Sequence, residues 1–279
     1  MQLDAGWGAV TAIAEGDGDG EPLAVLLHAA GSSPRALGAM AQALRGAEGR
    51  SIAPALPMSL DAASPPIRRL LSRQIAVARA ALGHGAPGRR ILFGHSFGGL
   101  VALLALLDGA AADAVILYEP IVLAALDPTD SGDRAARAWD RALIDHLGAG
   151  VAAGDPEPGV ARFIEAYNEV AWPKLPPAAR AAILGQAASL VALTRLVHHL
   201  EIDRDAIRRL TTPVLVLSGD RSPDIAQRMA VRLARLLPNV AQTVVPGAGH
   251  MGPVMAADRV MAAIRPHLDA VLNPGAAPS

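Results

Sequence analysis

The chain has 279 residues, with 25 Lys and Arg against 26 Asp and Glu, a formal net charge of -1 and no cysteine. So balanced a charge gives no basic footprint for a nucleic-acid backbone, and aromatics at 3% leave few rings for stacking bases. The lack of cysteine excludes disulfides, thiolate metal sites and a cysteine nucleophile. At this length one large α/β core, with or without an insertion, can bury a complete sheet.

Residues Met1 to Ala5 carry no basic run ahead of a long apolar segment, so they do not read as a secretory leader and a cytoplasmic protein is expected. Trp7 to Ala14, closed by the Gly-Asp loop of residues 16–20, reads as an antiparallel strand leading in. Short apolar runs follow at 23–28, 51–55, 90–93, 113–118, 213–218 and 242–245, with helical patterns at 34–44, 66–82, 97–107, 223–237 and 253–272. This alternation builds a mostly parallel sheet covered on both faces. The run Ile91 to Ala111 imitates a membrane span, but Gly94, His95, Ser96, Gly98, Gly99 and Asp108 interrupt it. A buried strand entering a buried helix accounts for it, and no membrane is expected.

From 121 to 209 the alternation stops and only helical patterns remain, at 132–147, 159–170 and 177–199, joined by connectors at 148–158 and 172–176. Residues 1–120 and 210–279 are therefore read as the core domain and 121–209 as a helical insertion. Pro266 is expected to bend or shorten the last helix, and Asn273 to Ser279 to form a frayed tail.

Gly94-His95-Ser96-Phe97-Gly98-Gly99 lies between a strand candidate and an apolar helix, the setting a nucleophile elbow requires. Such a turn strains the serine backbone and leaves no room for side chains two residues to either side, which Gly94 and Gly98 lack. A serine hydroxyl is a weak nucleophile near neutral pH, so Ser96 needs a base within hydrogen-bond reach and a third group to orient that base. His250, in Gly247-Ala248-Gly249-His250-Met251-Gly252-Pro253 directly after the last strand, fits the base best. His84, His146, His198, His199 and His267 fall on helices or surface turns, and His95 is expected to pack beside the elbow.

With this elbow, this histidine and Leu27-His28-Ala29-Ala30-Gly31-Ser32, the chain resembles the α/β-hydrolase superfamily over nearly its whole length. The last segment looks like the family's oxyanion loop after its third strand, with Ala29 in place of the usual glycine. The resemblance implies an α/β-hydrolase fold, a mostly parallel central sheet with helices on both faces and a helical cap insertion, and a triad ordered Ser, Asp or Glu, then His. It also implies an oxyanion hole from the backbone amides of Ala30 and Phe97, fixed donors that stabilise a developing alkoxide without reorganising. The side chains of His28 and Ala29 are read as a buried strand end.

The family usually carries its acid after the seventh strand, as Gly, two variable residues, then Asp. In Gly219-Asp220-Arg221-Ser222-Pro223-Asp224 that position is Ser222; Asp220 comes two residues early and Asp224 two late. Some members use a glutamate after the sixth strand, and Val115-Ile116-Leu117-Tyr118-Glu119-Pro120 puts Glu119 at that strand's carboxyl end, where open α/β sheets build their sites. Glu119 is preferred, with Asp220 as the alternative.

The insertion holds Trp139, Phe163, Tyr167 and Trp172, half of the chain's aromatic residues. Phe163 and Tyr167, four apart, share a helix face, either as packing within the insertion or, with Trp172, as the wall of an apolar pocket above Ser96. Asn168, His198 and His199 are read as solvated or as adding polar selectivity. The expected activity is hydrolysis of an ester, thioester or lactone of a small to medium, partly apolar substrate through an acyl-enzyme. It needs no metal or organic cofactor, and its partner is a small molecule. Two alternatives stand beside it: the same triad used for carbon-carbon bond hydrolysis, a lyase reaction or acyl transfer, and a non-catalytic small-molecule binder on the same fold.

Overall fold

The computed structural model describes residues 1–16, 19–58, 67–168 and 170–272. Eight strands, β1 (Gln2–Asp4), β2 (Ala9–Glu15), β3 (Leu23–Leu27), β4 (Arg50–Pro54), β5 (Arg90–His95), β6 (Ala114–Tyr118), β7 (Val214–Gly219) and β8 (Val240–Val245), form one sheet in the order β1-β2-β4-β3-β5-β6-β7-β8. β2 runs antiparallel to both β1 and β4, and every other pair is parallel. Strands β3, β6 and β7 are buried from end to end, which is why they read as unbroken apolar runs. β1 has three residues, too few for an alternating pattern to register in the sequence.

The helices are α1 (Gly38–Arg45), α2 (Ile67–Leu82), α3 (Phe97–Leu107), α4 (Ser131–Ala153), α5 (Glu157–Tyr167) and α6 (Pro177–Leu184). They continue with α7 (Ala187–His199), α8 (Arg204–Arg208), α9 (Asp224–Ala234), α10 (Gly252–Met255) and α11 (Ala257–Leu272). Successive strand residues point to opposite faces, so Leu92 joins the core under α2, α3 and α9 while its neighbour Phe93 joins the core under α1 and α11. Helix α3 is buried nearly all round, with Leu100, Val101, Ala102 and Leu103 fully enclosed. The span-like stretch is thus a core strand and a core helix. Among the described residues no single helix is long and apolar enough to cross a membrane.

Between β6 and β7 the chain is helical, as expected, and α4, α5 and α7 enclose a small core of Leu147, Val160, Trp172, Leu190 and Val191. This layer is tied to α9 of the core through Asp133. Its buried carboxylate accepts from Arg232 Nε at 2.6 Å, Arg228 Nη1 at 3.1 Å and the Asp127 amide at 2.9 Å. Asp130 caps α4 by accepting from the Asp133 amide at 2.9 Å.

Several element boundaries differ from the sequence reading. Helix α4 passes through Gly148, where a Cβ would collide with the Arg195 guanidinium of α7, and stops at Gly154 in the left-handed region at φ 78. The glycine taken as a terminator is a close-approach point instead. The stretch 177–199 is two helices bent by 58° at Gly185 and Gln186. Ala256 (φ -143) divides 253–272 into α10 and α11, while Pro266 lies inside α11 without ending it. The short α8, capped by Asp203 through the Asp205 amide at 2.8 Å, was not anticipated. Pro66 and the tail 273–279 lie outside the described residues.

Candidate active site

The chain moves from β3 to β4 on one side and then to β5 on the other, so the carboxyl ends of β3 and β5 flank a topological switch point, where open α/β sheets hold their ligands. Ser96 follows β5 at φ 56 and ψ -117, and Glu119 follows β6 at φ 45; among the described residues these are the only non-glycine residues with positive φ. Such backbone costs roughly 1–3 kcal/mol per residue and persists where its surroundings over-determine it. Here strand pairing does so: the Ser96 amide donates to Tyr118 O at 2.9 Å and the Glu119 amide to Leu217 O at 2.8 Å. A Cβ on Gly94 would stand 2.6 Å from Gly99 Cα, and one on Gly98 would overlap the Leu27 carbonyl. The turn is possible because both positions lack one.

Ser96 Oγ lies 3.0 Å from His250 Nε2, and His250 Nδ1 lies 2.6 Å from Glu119 Oε2. All three are buried, at 4%, 6% and 0% exposure respectively. The carboxylate fixes the imidazole proton on Nδ1, leaving the Nε2 lone pair directed at the serine. The second oxygen of Glu119 accepts from the Gly219 amide at 2.7 Å and from the Ser222 hydroxyl. Ser222, at the position where the family usually has its acid, donates to a carboxylate on the neighbouring strand. Sequence reasoning saw that Ser222 lacks a charge but missed this donor, although a hydroxyl in the vacated slot was the available signal.

Asp220 requires a correction. It is exposed, and Oδ1 accepts from the Gly247 amide at 2.8 Å, so the structure does not bring it to His250. Its own amide bonds Val245 O at 3.3 Å, which turns the residue towards the rim of β8. Asp224 is also exposed, paired with Arg228 at 2.5 Å.

The histidine loop is fixed carbonyl by carbonyl. Arg259 donates to Gly247 O at 2.9 Å, the Arg221 amide to Ala248 O at 3.0 Å, the Tyr118 hydroxyl to Gly249 O at 2.7 Å and His95 Nε2 to His250 O at 2.8 Å. His95 packs beside the elbow as expected. Burial, reinforced by repulsion from His250, pushes its pKa down to about 3, so it serves as a neutral donor. Burial also lowers the pKa of His28, whose Nδ1 donates to Ala29 O at 2.8 Å while Nε2 accepts from the Leu56 amide at 3.1 Å. Its ring therefore braces the turn that carries Ala30, a role the sequence did not reveal.

Ala30, Ser96, Phe97 and His250 line a cavity of about 290 Å³ whose other wall comes from the insertion. Phe97 is the first residue of α3, where an amide has no intrahelical acceptor. Phe163 and Tyr167 both line the cavity with ring centroids 5.2 Å apart, and the Tyr167 ring is 5.1 Å from that of His250. Trp172 is not part of this wall. It is folded against α5 in the core of the insertion, its amide held by Glu165 at 2.7 Å and its indole N–H by Glu157 at 2.9 Å. His199 is exposed, whereas Asn168 and the buried His198 line the cavity. Among the described residues no group of three His, Cys, Asp or Glu is arranged to hold a metal ion.

A mostly parallel sheet whose strand ends gather an elbow serine, a histidine and a carboxylate defines an α/β protein of the hydrolase class. The chain belongs to the alpha/beta hydrolase family, whose sequence model matches residues 24–263. No curated protein matches it by sequence. Among solved structures it is similar to the lip1 protein of Acinetobacter baumannii AYE, with TM-score 0.74, 20% identity and coverage of 98% of this chain and 92% of that one. It is also similar to the esterase RhEst1 of Rhodococcus sp. ECU1013, with TM-score 0.71, 19% identity and coverage of 97% and 98%. The 2-hydroxy-6-oxo-6-phenylhexa-2,4-dienoate hydrolase of Rhodococcus sp. strain RHA1 aligns with TM-score 0.71, 18% identity and coverage of 96% and 97%. At these identities the likeness is one of fold.

Proposed function

We propose that the chain is a serine hydrolase cleaving a carboxylic ester, thioester or lactone of a small to medium, partly apolar substrate through an acyl-enzyme. The observation that carries this reading is the buried relay from Ser96 through His250 to Glu119, opening on a largely apolar cavity. His250 Nε2 takes the Ser96 proton as Oγ attacks the carbonyl, and Glu119 stabilises the imidazolium so formed. The amides of Ala30 and Phe97 receive the oxyanion. His250 then returns the proton to the departing alcohol or thiol. In the second half a water gives its proton to His250 and attacks the acyl group, and Ser96 leaves with that proton. The insertion acts as a cap that closes the cavity over these atoms.

A fluorophosphonate probe tests the reading. Stoichiometric labelling of the folded wild type, lost in Ser96→Ala, and a burst of alcohol from activated esters are expected, with turnover of Ser96→Ala reduced on the order of 10⁶-fold. Folded protein that is not labelled overturns it and favours a binding protein.

A further inference from the structure

The cap wall of the cavity contains a buried polar cluster that the relay does not use. Asp140 on α4 accepts from the Tyr167 hydroxyl at 2.5 Å through Oδ1 and from His198 Nε2 at 2.7 Å through Oδ2, and Asp140 and His198 are 7% and 6% exposed. All three residues line the cavity. Burial, and then the Asp140 charge, raise the Tyr167 pKa well above its ordinary value, so this side chain is a neutral phenol with its proton committed to Asp140.

Every proton in this cluster is therefore spoken for. His198 Nδ1 is fully enclosed and has no hydrogen-bond partner, so it is out of a ligand's reach. Tyr167, in the cavity lining, retains acceptor capacity at Oη. Thr194, also in the lining, donates its hydroxyl back to Leu190 O at 2.7 Å, leaving a second oxygen able only to accept. Asn168 adds an amide that serves either kind of partner. Among the described residues no Lys or Arg lines the cavity, while Asp140 contributes a carboxylate. An anionic group there would be desolvated beside a like charge with no counter-ion. A neutral donor would satisfy acceptors that otherwise stay unpaired.

Resting on the esterase reading, we infer that the cavity selects a neutral substrate bearing a hydroxyl group on an otherwise apolar skeleton, the hydroxyl donating to the Tyr167–Asp140–His198 cluster. Because the Tyr167 ring also touches His250, the hydroxyl belongs on either the acyl or the alcohol part, close to the scissile carbonyl.

Two matched ester panels test this at pH 8: nitrophenyl esters of C4 to C8 acids, and hexanoate esters of short alcohols. Each panel varies one carbon among hydroxyl, ketone, unsubstituted methylene, carboxylate and ammonium. A ketone matches the hydroxyl in size but cannot donate. In at least one panel kcat/KM for the best hydroxyl ester exceeds that of its ketone and methylene analogues by about tenfold, with the carboxylate slowest. Tyr167→Phe brings that ratio towards one; because it is taken within one protein, it is independent of the amount of active enzyme. Wild type that is labelled by the fluorophosphonate but prefers the ketone, methylene, carboxylate or ammonium compound in both panels overturns the hydroxyl inference and leaves the hydrolase reading standing. Wild type that is not labelled overturns both.

Discussion

The strand-end layer and the helical layer above it meet across one cavity but are built on different principles. At the strand ends the backbone itself is the instrument: Ser96 and Glu119 occupy positive φ, and the His250 loop has each carbonyl from Gly247 to His250 anchored. Little can shift there without breaking a buried hydrogen bond. The helical layer uses ordinary helices and caps and has its own small core, and α6 contains no buried residue at all. Its contribution to the cavity is made through side chains. On the proposed reading, reactivity is written into backbone that tolerates little change, and selectivity into side chains that a helix carries in almost any combination.

The hardest test of this contrast is Glu119→Gln against Asp220→Asn. The first removes the charge behind His250 and lowers kcat on the order of 10⁴-fold, while the second, at an exposed loop brace, changes it by about twofold or less. Comparable losses for both would put the acid elsewhere.

A pH titration of folding stability probes the buried strand ends beneath the relay. The unfolded chain binds a proton at His95 near the free-imidazole value of 6.5, whereas the folded chain does so only near 3. Between those values the unfolded state holds more protons, so stability is complete above about pH 6.5 and declines as the pH falls towards 3, by about 3 kcal/mol at pH 4 for this group. Urea melts from pH 7 to 4 should show that slope, and His95→Gln should flatten it. An unchanged slope in the variant would mean that other groups carry the acid sensitivity.

Ser222→Ala is the finer probe. Deleting one donor to the ionised Glu119 while the Gly219 amide remains is expected to cost about tenfold in kcat with little change in KM. On the helical side, Phe163→Ala removes apolar wall and should raise KM for long-chain esters several-fold while kcat on a short activated ester moves less. If Phe163→Ala lowered kcat as much as Ser222→Ala, the division of labour between the two layers would fail.

Much of the strand-end layer was legible in the sequence because its signals are local. A strand, Gly-X-Ser-X-Gly and an apolar helix occur within twenty residues, and His250 follows the last strand on a glycine-rich loop. The core strands announced themselves as continuous apolar runs for the same reason. Boundaries such as Gly148 and the bend at Gly185 were missed because a glycine written in a sequence does not say whether it ends a helix or lets another side chain approach it.

The sequence by itself determined the alternating α/β order, the elbow around Ser96, the histidine and a short choice of carboxylates. Only the tertiary structure puts Glu119 rather than Asp220 beside His250, since the two follow adjacent strands and differ in which way the chain turns after the last ladder bond. It also decided that Ser222 donates to Glu119, that His28 and His95 are braces, and that Trp172 belongs to the core of the insertion while Tyr167 faces His250. Each of these depends on groups brought together from positions far apart in the chain, and hydrogen bonds of that range leave no periodic trace in the order of residues.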